Sequence, residues 1–517
     1  MPKIIVESKH PQVRRERKNV FSDETNLYLL RLLRGGTGLH SPLGDASAVP
    51  RNLQLELAAA IRQRLLPWFW SVLLHAAILI LLAIFFLPVI RVEPLDVLSG
   101  MVNIPIPRDI PFNPGHAEGN APSVADDLQG HAPTVTEEIS VPKIESLHSS
   151  PGLQFSGRDL RLRAAMLGGG GGGGETDEAV LAGLHWLVKV QQPNGAWHFS
   201  GSFPQSAPKS REDNLAATAM ALLAFQGYGV TSDSQQLFPI EFIRSVRRGW
   251  EWLLRQQNPD GSFVSPSASQ INHFYTHGLC TIALCELLAM TGDEALQESA
   301  QRAIDYCIQH QSIRRGGWRY LPDRFSEQSD VSVTGWIVLA LKSGQAAGLT
   351  VPPETFNNVM QFLDSMMKGN QYRYREEEPE PKISMTAEAL LCRMLLGWKR
   401  SDPRLAAGVQ LILDAPPSFA NHYQRDVYYW FFATQMLYHY GGNEWQVWNS
   451  MMKEQLLQHQ EKAGAETGSW NPQPGPNRPA RDQWGAQYGR LYTTCMSLYI
   501  LEVYYRHLRI FPERGRW

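Results

Sequence analysis

Gly183-Leu184-His185-Trp186-Leu187 begins the first of three related stretches in this chain, and Gln191 and Gly195-Ala196-Trp197 complete it. The second stretch reads Arg248-Gly249-Trp250-Glu251-Trp252-Leu253, with Gln257 and then Asp260-Gly261-Ser262-Phe263. The third reads Arg302-Ala303-Ile304-Asp305-Tyr306, with Gln311 and then Gly316-Gly317-Trp318. Each copy joins an aromatic residue, a glutamine and a turn that ends in an aromatic residue. A period of about 55 residues predicts one supersecondary unit used several times.

The residue types explain what such a unit does. The aromatic residue and its apolar neighbours predict the buried face of a helix, and the glutamine amide is suited to bind free backbone groups at the helix end. Asn-Gly or Asp-Gly turns the chain, and the closing aromatic side chain packs back on the repeat. We therefore expect nine residues to stitch the repeats together: Trp186, Gln191, Trp197, Trp252, Gln257, Phe263, Tyr306, Gln311 and Trp318.

A second, more apolar helix is predicted after each turn. These inner helices are expected at 215–226, 275–290, 331–342, 386–396, 427–438 and 491–505. Outer partners for the last three are expected at 356–367, 404–413 and 445–457. Six helix pairs predict an all-α fold, an (α/α)6 toroid of about twelve helices, with an open solenoid as the alternative.

The repeated pattern resembles the QW motif of the terpenoid cyclases. Residues 175–517 as a whole resemble the α/α toroid of squalene cyclases and protein prenyltransferases, with their prenyltransferase/squalene oxidase repeats. This resemblance implies a toroid fold, whereas function has to be read from the site residues.

The acid of the class II cyclases is only partly present. That family carries Asp-x-Asp-Asp-Thr at the start of an inner helix, and the comparable stretch here is Asp330-Val331-Ser332-Val333-Thr334. Because a serine hydroxyl cannot protonate an alkene, cyclisation is not expected. Asp330 remains the candidate catalytic residue, and a helix N-cap is its structural alternative.

The zinc site of the prenyltransferases is incomplete as well. Asp426-Val427-Tyr428-Tyr429 resembles the family's Asp-x-Tyr-His, but Tyr429 stands where the histidine ligand would be. His277 and Cys280 share one helix face, yet two ligands do not make a zinc site. We therefore expect no metal and no cofactor.

A ring of helix pairs brings the N-terminal ends of its inner helices to one central hollow. Aromatic and polar residues cluster at those ends, which is typical of a ligand cavity and also of a ring filled by its own side chains. The predicted cavity residues are Tyr275, His277, Asp330, Thr334, Trp336, Glu388, Tyr428, Tyr429, Trp430 and Tyr492.

Residues 68–90 predict a transmembrane helix, because they hold no Asp, Glu, Lys or Arg over 23 positions. Residues 1–67 carry 11 Lys and Arg against 6 acidic residues, and residues 91–167 carry 6 against 10. This asymmetry predicts a cytoplasmic N-terminus and a toroid outside the cytoplasmic membrane, in a single-pass protein of bacterial type.

Within this span, Ser71-Val72-Leu73-Leu74-His75 resembles the Ser-x-x-x-His anchor of TonB-type energy transducers. That resemblance implies coupling to a proton-driven channel, and a plain membrane anchor is the alternative. An ionisable residue at membrane depth raises a functional question.

Four segments follow from these patterns: a basic cytoplasmic arm (1–67), the span (68–90), a Pro/Gly-rich linker (91–174) with seven consecutive glycines, and the toroid (175–517). A net charge of −2 does not indicate nucleic-acid binding. The expected partners are the lipid bilayer and an envelope protein.

We expect a binding or scaffolding module of the cell envelope without cyclase activity. Two alternatives stay open: an enzyme acting on a polysaccharide, isoprenoid or lipid in the toroid cavity, and a TonB-like transducer component.

Overall fold

A computed structural model describes residues 152–234, 238–264, 272–421, 425–476 and 478–511. All of them belong to the second of two compact units, Ala132–Trp517. The helices are α1 (Leu160–Gly170), α2 (Gly174–Val190), α3 (Asn214–Gly227), α4 (Ile240–Leu254), α5 (His273–Thr291), α6 (Gln297–Gln309), α7 (Val331–Ala346), α8 (Pro353–Met366), α9 (Ile383–Leu395), α10 (Pro403–Leu413), α11 (Val427–Tyr440), α12 (Gly442–His459), α13 (Gly485–Leu501) and α14 (Val503–Arg506). Short 3-10 helices lie at Leu153–Arg158, Lys209–Arg211 and Glu294–Leu296, and β1 (Met367–Lys368) pairs antiparallel with β2 (Gln371–Tyr372).

Six inner helices form a closed ring. Helices α3, α5, α7, α9, α11 and α13 each contact the next, and α13 returns to contact α3. Helices α2, α4, α6, α8, α10 and α12 lie outside them, each packed on an inner helix. The predicted (α/α)6 toroid is therefore confirmed, and the open solenoid is wrong.

Inner and outer helices differ in which faces they bury. In α3 every residue from Leu215 to Gly227 is buried, and in α11 all fourteen residues are. The outer helix α4 instead buries one face, which includes Phe242, Val246 and Trp250. An apolar stripe suits a helix with solvent on one side, whereas a helix surrounded by others is apolar all round.

One described helix, α5, is long and apolar enough to span a bilayer, but 78% of its most apolar window is buried inside the ring. A core helix meets the same criteria of length and composition. The predicted span at 68–90, with Ser71 and His75, lies outside the described residues.

The glutamine of each repeat joins two neighbouring units. Gln257 Nε2 donates to the carbonyl of Gly261 in its own turn (3.1 Å) and to that of Ser299 in the next outer helix (2.9 Å). The same pairs of bonds run from Gln191 to Gly195 and Ser245, and from Gln311 to Gly316 and Thr355. Each amide thus satisfies two backbone carbonyls and fixes the spacing of the outer helices.

A fourth glutamine, which the sequence pattern did not predict, closes the ring. Gln460 Nε2 donates to Gly468 O (2.9 Å) and to Ala179 O of α2 (2.7 Å). The last and first repeats are also joined by Trp186 Nε1, which donates to Glu466 (2.9 Å), and by Arg490 Nε, which donates to Pro204 O (3.1 Å).

The glycine of each turn allows close approach to the next unit. Gly261 has φ +88°, and a Cβ at this position would overlap the carbonyl oxygen of Arg302 in α6. Only glycine combines this backbone conformation with this contact, because L-residues are strained at positive φ.

The aromatic residue of each turn is held by the inner helix that follows. Four backbone N–H groups donate to threonine hydroxyls at 2.9–3.1 Å: Trp197 to Thr218, Trp318 to Thr334, Tyr372 to Thr386 and Trp470 to Thr494. In the second repeat Phe263 N–H donates to His277 Nδ1 (3.2 Å), so a histidine takes the place of the threonine.

Residues 152–170, which we term the strap, differ from the linker predicted there. The strap crosses the C-terminal ends of the inner helices: Gly152 N–H donates to Ala346 O (2.8 Å), and Leu508 N–H donates to Gln154 O (3.0 Å). Phe155 is buried, and Arg158 is only 2% exposed. The described part of the segment predicted as linker is thus part of the toroid.

The glycine run is packed as well. Trp445 Nε1 donates to Gly170 O (2.8 Å), and Asn449 Nδ2 donates to Gly171 O (3.0 Å). A Cβ at Gly171 would lie 2.6 Å from Asn449 Nδ2, so the missing side chains let this segment approach α12 closely. The run joins α1 to α2 rather than forming the predicted hinge.

Four charged side chains are buried where the strap meets the ring. Arg158 pairs with Glu286 of α5 at 2.8 Å, and Arg506 pairs with Glu502 at 2.7 Å and with Glu286 at 3.7 Å. Two basic and two acidic side chains are therefore paired inside the protein, as buried ionisable groups require.

Candidate functional site

A cavity of about 350 Å³ lies at the N-terminal ends of the inner helices. Its size is at the lower end of the range of small-molecule sites, roughly 300–1,000 Å³. Nine aromatic side chains line it: Phe199, Tyr275, Tyr320, Trp336, Tyr374, Tyr428, Trp484, Tyr488 and Tyr492. Met220, Leu279, Met385 and Met496 add apolar wall along the inner helices.

The cavity reaches solvent on the face where the turns lead into the inner helices. Lys382, Gln483 and Trp484 line it and are exposed at the surface, with Trp484 at 36%. Arg211 and Lys382 place two cations in the wall. Because helix N-termini carry partial positive charge, the field in the cavity favours electron-rich groups.

Asp213 is the only carboxyl group among the described residues that line the cavity. It caps α3 by accepting from Ala216 N–H (3.1 Å), and it also accepts from the Thr276 hydroxyl. Burial raises the pKa of Asp213 to about 6 against these hydrogen bonds, which lower it.

A chain of hydrogen-bonded side chains leads from the cavity into the core. The Tyr275 hydroxyl lies 2.7 Å from Ser332 Oγ, and Ser332 Oγ lies 2.6 Å from the Tyr428 hydroxyl. The Tyr428 hydroxyl lies 2.9 Å from Glu388 Oε2. Tyr275, Ser332 and Tyr428 line the cavity, whereas Glu388 lies behind them.

Glu388 is fully buried, and its second oxygen, Oε1, has no hydrogen-bond partner among the described residues. The space for it exists because residue 335 is glycine, where a Cβ would overlap Oε1. Burial raises the pKa of Glu388 well above its ordinary value, and the hydrogen bond that Tyr428 donates to the ionised carboxylate lowers it only in part. Burial therefore favours the neutral form of this carboxyl group.

Four of the ten predicted cavity residues line the cavity: Tyr275, Trp336, Tyr428 and Tyr492. Glu388 reaches it only through Tyr428. His277 and Thr334 do not line it, because they hold the turns at Phe263 and Trp318.

Tyr429 and Trp430 were predicted in the cavity and lie elsewhere. The Tyr429 hydroxyl donates to Ala415 O (2.9 Å) beyond α10, and the Trp430 ring packs against Phe419 with centroids 5.2 Å apart. Successive helical residues point about 100° apart, so only Tyr428 of these three faces the cavity.

Asp330 caps α7 and does not line the cavity. Its Oδ1 accepts from Val333 N–H at 2.7 Å, and the residue is fully buried. Burial raises its pKa to about 7. This is the structural alternative considered for Asp330, and no cavity contact supports a catalytic role.

Several lining residues that the sequence reasoning missed come from the connecting segments, and one, Tyr488, comes from the first turn of α13. They are Phe199, Arg211, Asp213, Tyr320, Tyr374, Trp484 and Tyr488. Of these residues, only Asp213 could have been predicted from the sequence. It directly precedes the inner helix α3, as Asp330 precedes α7 and Asp426 precedes α11.

His277 and Cys280 both make contacts within the ring. His277 is held by Phe263 N–H and by Ala303 O, and Cys280 Sγ faces Leu215 O at 3.8 Å. Among the residues that the structure describes, no group of three His, Cys, Asp or Glu could hold a metal ion. All five cysteines are buried and free.

No protein-family model and no curated protein matches this sequence. Solved structures are similar to it in fold. One is a protein from Actinoplanes, with 17% identity, a TM-score of 0.40 and coverage of 64% of this chain and 99% of that one. Another is an α-1,6-mannanase of Salegentibacter in complex with α-1,6-mannotriose (11%, 0.45, 64% and 99%). A third is a type II terpene cyclase of Scytonema (15%, 0.41, 64% and 98%).

Proposed function

We propose that this protein binds an apolar small molecule in the central cavity of its toroid and does not cyclise terpenoids. The observation that carries the proposal is the cavity itself, a hollow of about 350 Å³ with nine aromatic side chains and an opening to solvent. Apolar walls with a few placed polar groups are typical of small-molecule sites.

The position of the cyclase acid holds a serine, Ser332, and this supports the proposal that the protein does not cyclise terpenoids. Ser332 replaces the acid, and its hydroxyl is already bonded to Tyr275 and Tyr428. The carboxyl group at the end of this series of hydrogen-bonded side chains, Glu388, has a raised pKa because it is buried. A carboxylic acid that holds its proton more tightly is a weaker donor, whereas alkene protonation needs a stronger one.

The carboxyl groups also argue against glycoside hydrolysis. That reaction ordinarily uses two carboxyl groups on either side of the scissile bond, roughly 5–9.5 Å apart. Among the described lining residues only Asp213 carries one. The cavity therefore favours binding over hydrolysis of a polysaccharide.

We further propose that binding takes place outside the cytoplasmic membrane, with residues 68–90 as the anchor. The charge asymmetry around that segment supports this orientation. Protease treatment of intact spheroplasts should cleave the toroid, and protection of the toroid until the membrane is lysed would contradict it. A channel-coupled role for Ser71 and His75 would require that His75→Ala lose a membrane partner in co-purification.

Ligand binding is tested with fluorene as the probe and the full chain in lipid nanodiscs, with empty nanodiscs as the blank. Leu279 lines the cavity, so Leu279→Trp fills it and should weaken binding about tenfold or more, equivalent to 1.4 kcal/mol or more. Leu162→Trp is the matched control, because Leu162 is 47% exposed on α1. Equal binding by the wild-type chain and Leu279→Trp would refute the cavity as the site.

The exclusion of cyclase activity has a separate test. The full chain incubated with squalene should return it unchanged, and any cyclised product would overturn this part of the proposal.

A further inference from the structure

We propose that the cavity selects an apolar ligand that carries a neutral oxygen acceptor, such as a ketone or quinone, and that the Tyr275 hydroxyl donates the hydrogen bond. This inference rests on the proposed binding function and names the ligand class. It is carried by the chain of side chains from Tyr275 through Ser332 and Tyr428 to Glu388.

The surroundings of Glu388 decide in which direction hydrogens are donated along this series of side chains. No described side chain donates to Glu388 Oε1, and no cation forms a salt bridge with Glu388. The neighbouring Arg393 is instead engaged by Asp364 and Tyr372. An ionised carboxylate here would leave half its charge without a donor in the core, which is costly.

A neutral Glu388 has one proton to donate. With the proton on Oε2, the acid donates to Tyr428 and leaves Oε1 as an unpartnered carbonyl oxygen, which is the less costly arrangement in a protein core. With the proton on Oε1, a buried hydroxyl would have no acceptor. The geometry therefore favours donation from Glu388 to Tyr428.

Each hydroxyl in the chain has a single hydrogen, so one direction propagates along it. Tyr428 then donates to Ser332, and Ser332 donates to Tyr275. The Tyr275 hydrogen is left for the cavity that this side chain lines. Hydrogen bonds in series polarise one another, so the terminal donor is strengthened by the groups behind it.

The wall beside Tyr275 fits the apolar body of such a ligand. Elsewhere in the wall, the Tyr320 and Tyr374 hydroxyls share one hydrogen bond with each other. Tyr488 is bonded to Asn272 at 3.3 Å. Beside Tyr275 the wall is formed by apolar side chains such as Leu279 and Trp336, where a hydrocarbon ring system would pack.

The test compares fluorene with 9-fluorenone, two probes of nearly the same shape that differ by one carbonyl group. Both are titrated into the full chain in nanodiscs, and partition into empty nanodiscs is subtracted. The wild-type chain should prefer fluorenone by about 3- to 10-fold, the usual effect of one neutral hydrogen bond. The C=O stretch of bound fluorenone should move to lower wavenumber.

Four variants assign the donor. Tyr275→Phe and Glu388→Met should lose the preference and still bind fluorene. Glu388→Gln should keep it, because the amide N–H replaces the acid O–H as the donor to Tyr428. Tyr429→Phe is the control, since its hydroxyl donates to Ala415 O away from the cavity, and it should leave the preference unchanged.

The outcomes separate the two proposals. Equal binding of both probes by the wild-type chain overturns the ligand class and leaves the cavity as a binding site. Loss of the preference in Glu388→Gln as in Glu388→Met overturns the direction of the chain, because it would show that a carboxylate acceptor is needed. No binding of either probe overturns the binding function and this inference with it.

Discussion

The glutamine amide satisfies the backbone of two repeats at once. Gln257 donates to Gly261 O and Ser299 O, and its own oxygen accepts from the Ser299 hydroxyl. Its neighbour Gln256 reaches only Trp252 O of its own helix (3.2 Å). The two adjacent residues therefore have the same chemistry and different structural roles.

Gln257→Ala should lower the free energy of unfolding by about 1–3 kcal/mol, because two part-buried carbonyl groups lose their donor. Gln256→Ala should change it by less than about 0.5 kcal/mol, as expected for a substitution outside such a network. Chemical denaturation followed by circular dichroism measures both. Equal effects at the two positions would show that the inter-repeat bond contributes nothing particular.

Aspartates at helix N-caps respond to pH with opposite signs in this protein. Burial raises the pKa of Asp330 to about 7, whereas the hydrogen bond from Arg404 lowers the pKa of the partly exposed cap Asp402. The folded state thus binds the Asp330 proton more tightly than the unfolded state does. Its contribution to stability is complete below about pH 4 and is lost as pH rises through about 7. For Asp402 the contribution is present above about pH 4 and lost on acidification.

Asp330→Asn should therefore be more stable than the wild-type chain at pH 8, by about 2–4 kcal/mol, and should lose this advantage at pH 4, since asparagine also caps helices. Asp402→Asn should show the reverse order, less stable at pH 8 and equal at low pH. Thermal melts from pH 4 to 9 measure both. A pH-independent difference for Asp330→Asn would mean that its carboxyl group does not take up a proton on folding.

Helix positions were predictable where a cap and an apolar run coincide. Helix α7 begins at Val331, directly after Asp330, as the sequence predicts. Helix α13 begins at Gly485, six residues before the predicted start, and Gly489 at φ +74° kinks it. The strap was missed because its glycine-rich and proline-flanked composition is typical of linkers, and only the ring supplies the surface that orders it.

The strap should be required for the toroid to fold. A chain that starts at residue 152 should melt cooperatively, whereas one that starts at residue 175 loses Arg158 and leaves Glu286 with Arg506 as its one cationic partner among the described residues. Breaking a buried ion pair costs about 3–5 kcal/mol. Differential scanning calorimetry of the two truncated chains measures this, and equal midpoints would refute the role of the strap.

Arg158→Met tests the ion pair without removing chain, and it should be about 3–5 kcal/mol less stable than the wild-type chain. Arg302→Met is the matched control, because Arg302 pairs with Glu298 on an exposed helix face and should cost less than about 1 kcal/mol.

At the scale of the whole molecule, the closed ring leaves no inner helix at an edge. Helix α13 contacts both α11 and α3, and α14 contacts the strap. A chain that ends at residue 481 lacks α13 and α14. It should therefore melt at lower temperature and over a broader range than the full chain. Calorimetry measures the transition. A transition as sharp and as high would show that the ring does not depend on closure.

The fold was more predictable than the site. Each repeat of an aromatic residue, a glutamine such as Gln257 and a turn defines one pair of helices, so three copies suffice to predict the architecture. The closing residue, Gln460, escaped because it stands eight positions before its glycine, whereas Gln257 stands four before its own. Lining residues such as Tyr320 and Tyr374 lie in turns, where no periodic pattern identifies them. The buried position of Glu388 depends on Gly335 of a different helix, which a single sequence does not place beside it.

The strap and the cavity occupy opposite ends of the ring. Gly152 enters beside Ala346, the last residue of α7, whereas Ser332 near the start of α7 lines the cavity. The strap therefore contributes no described residue to the wall of the cavity. Stabilising the ring and lining the cavity thus fall to different residues: a substitution in the strap should shift the melting temperature and leave the cavity wall intact.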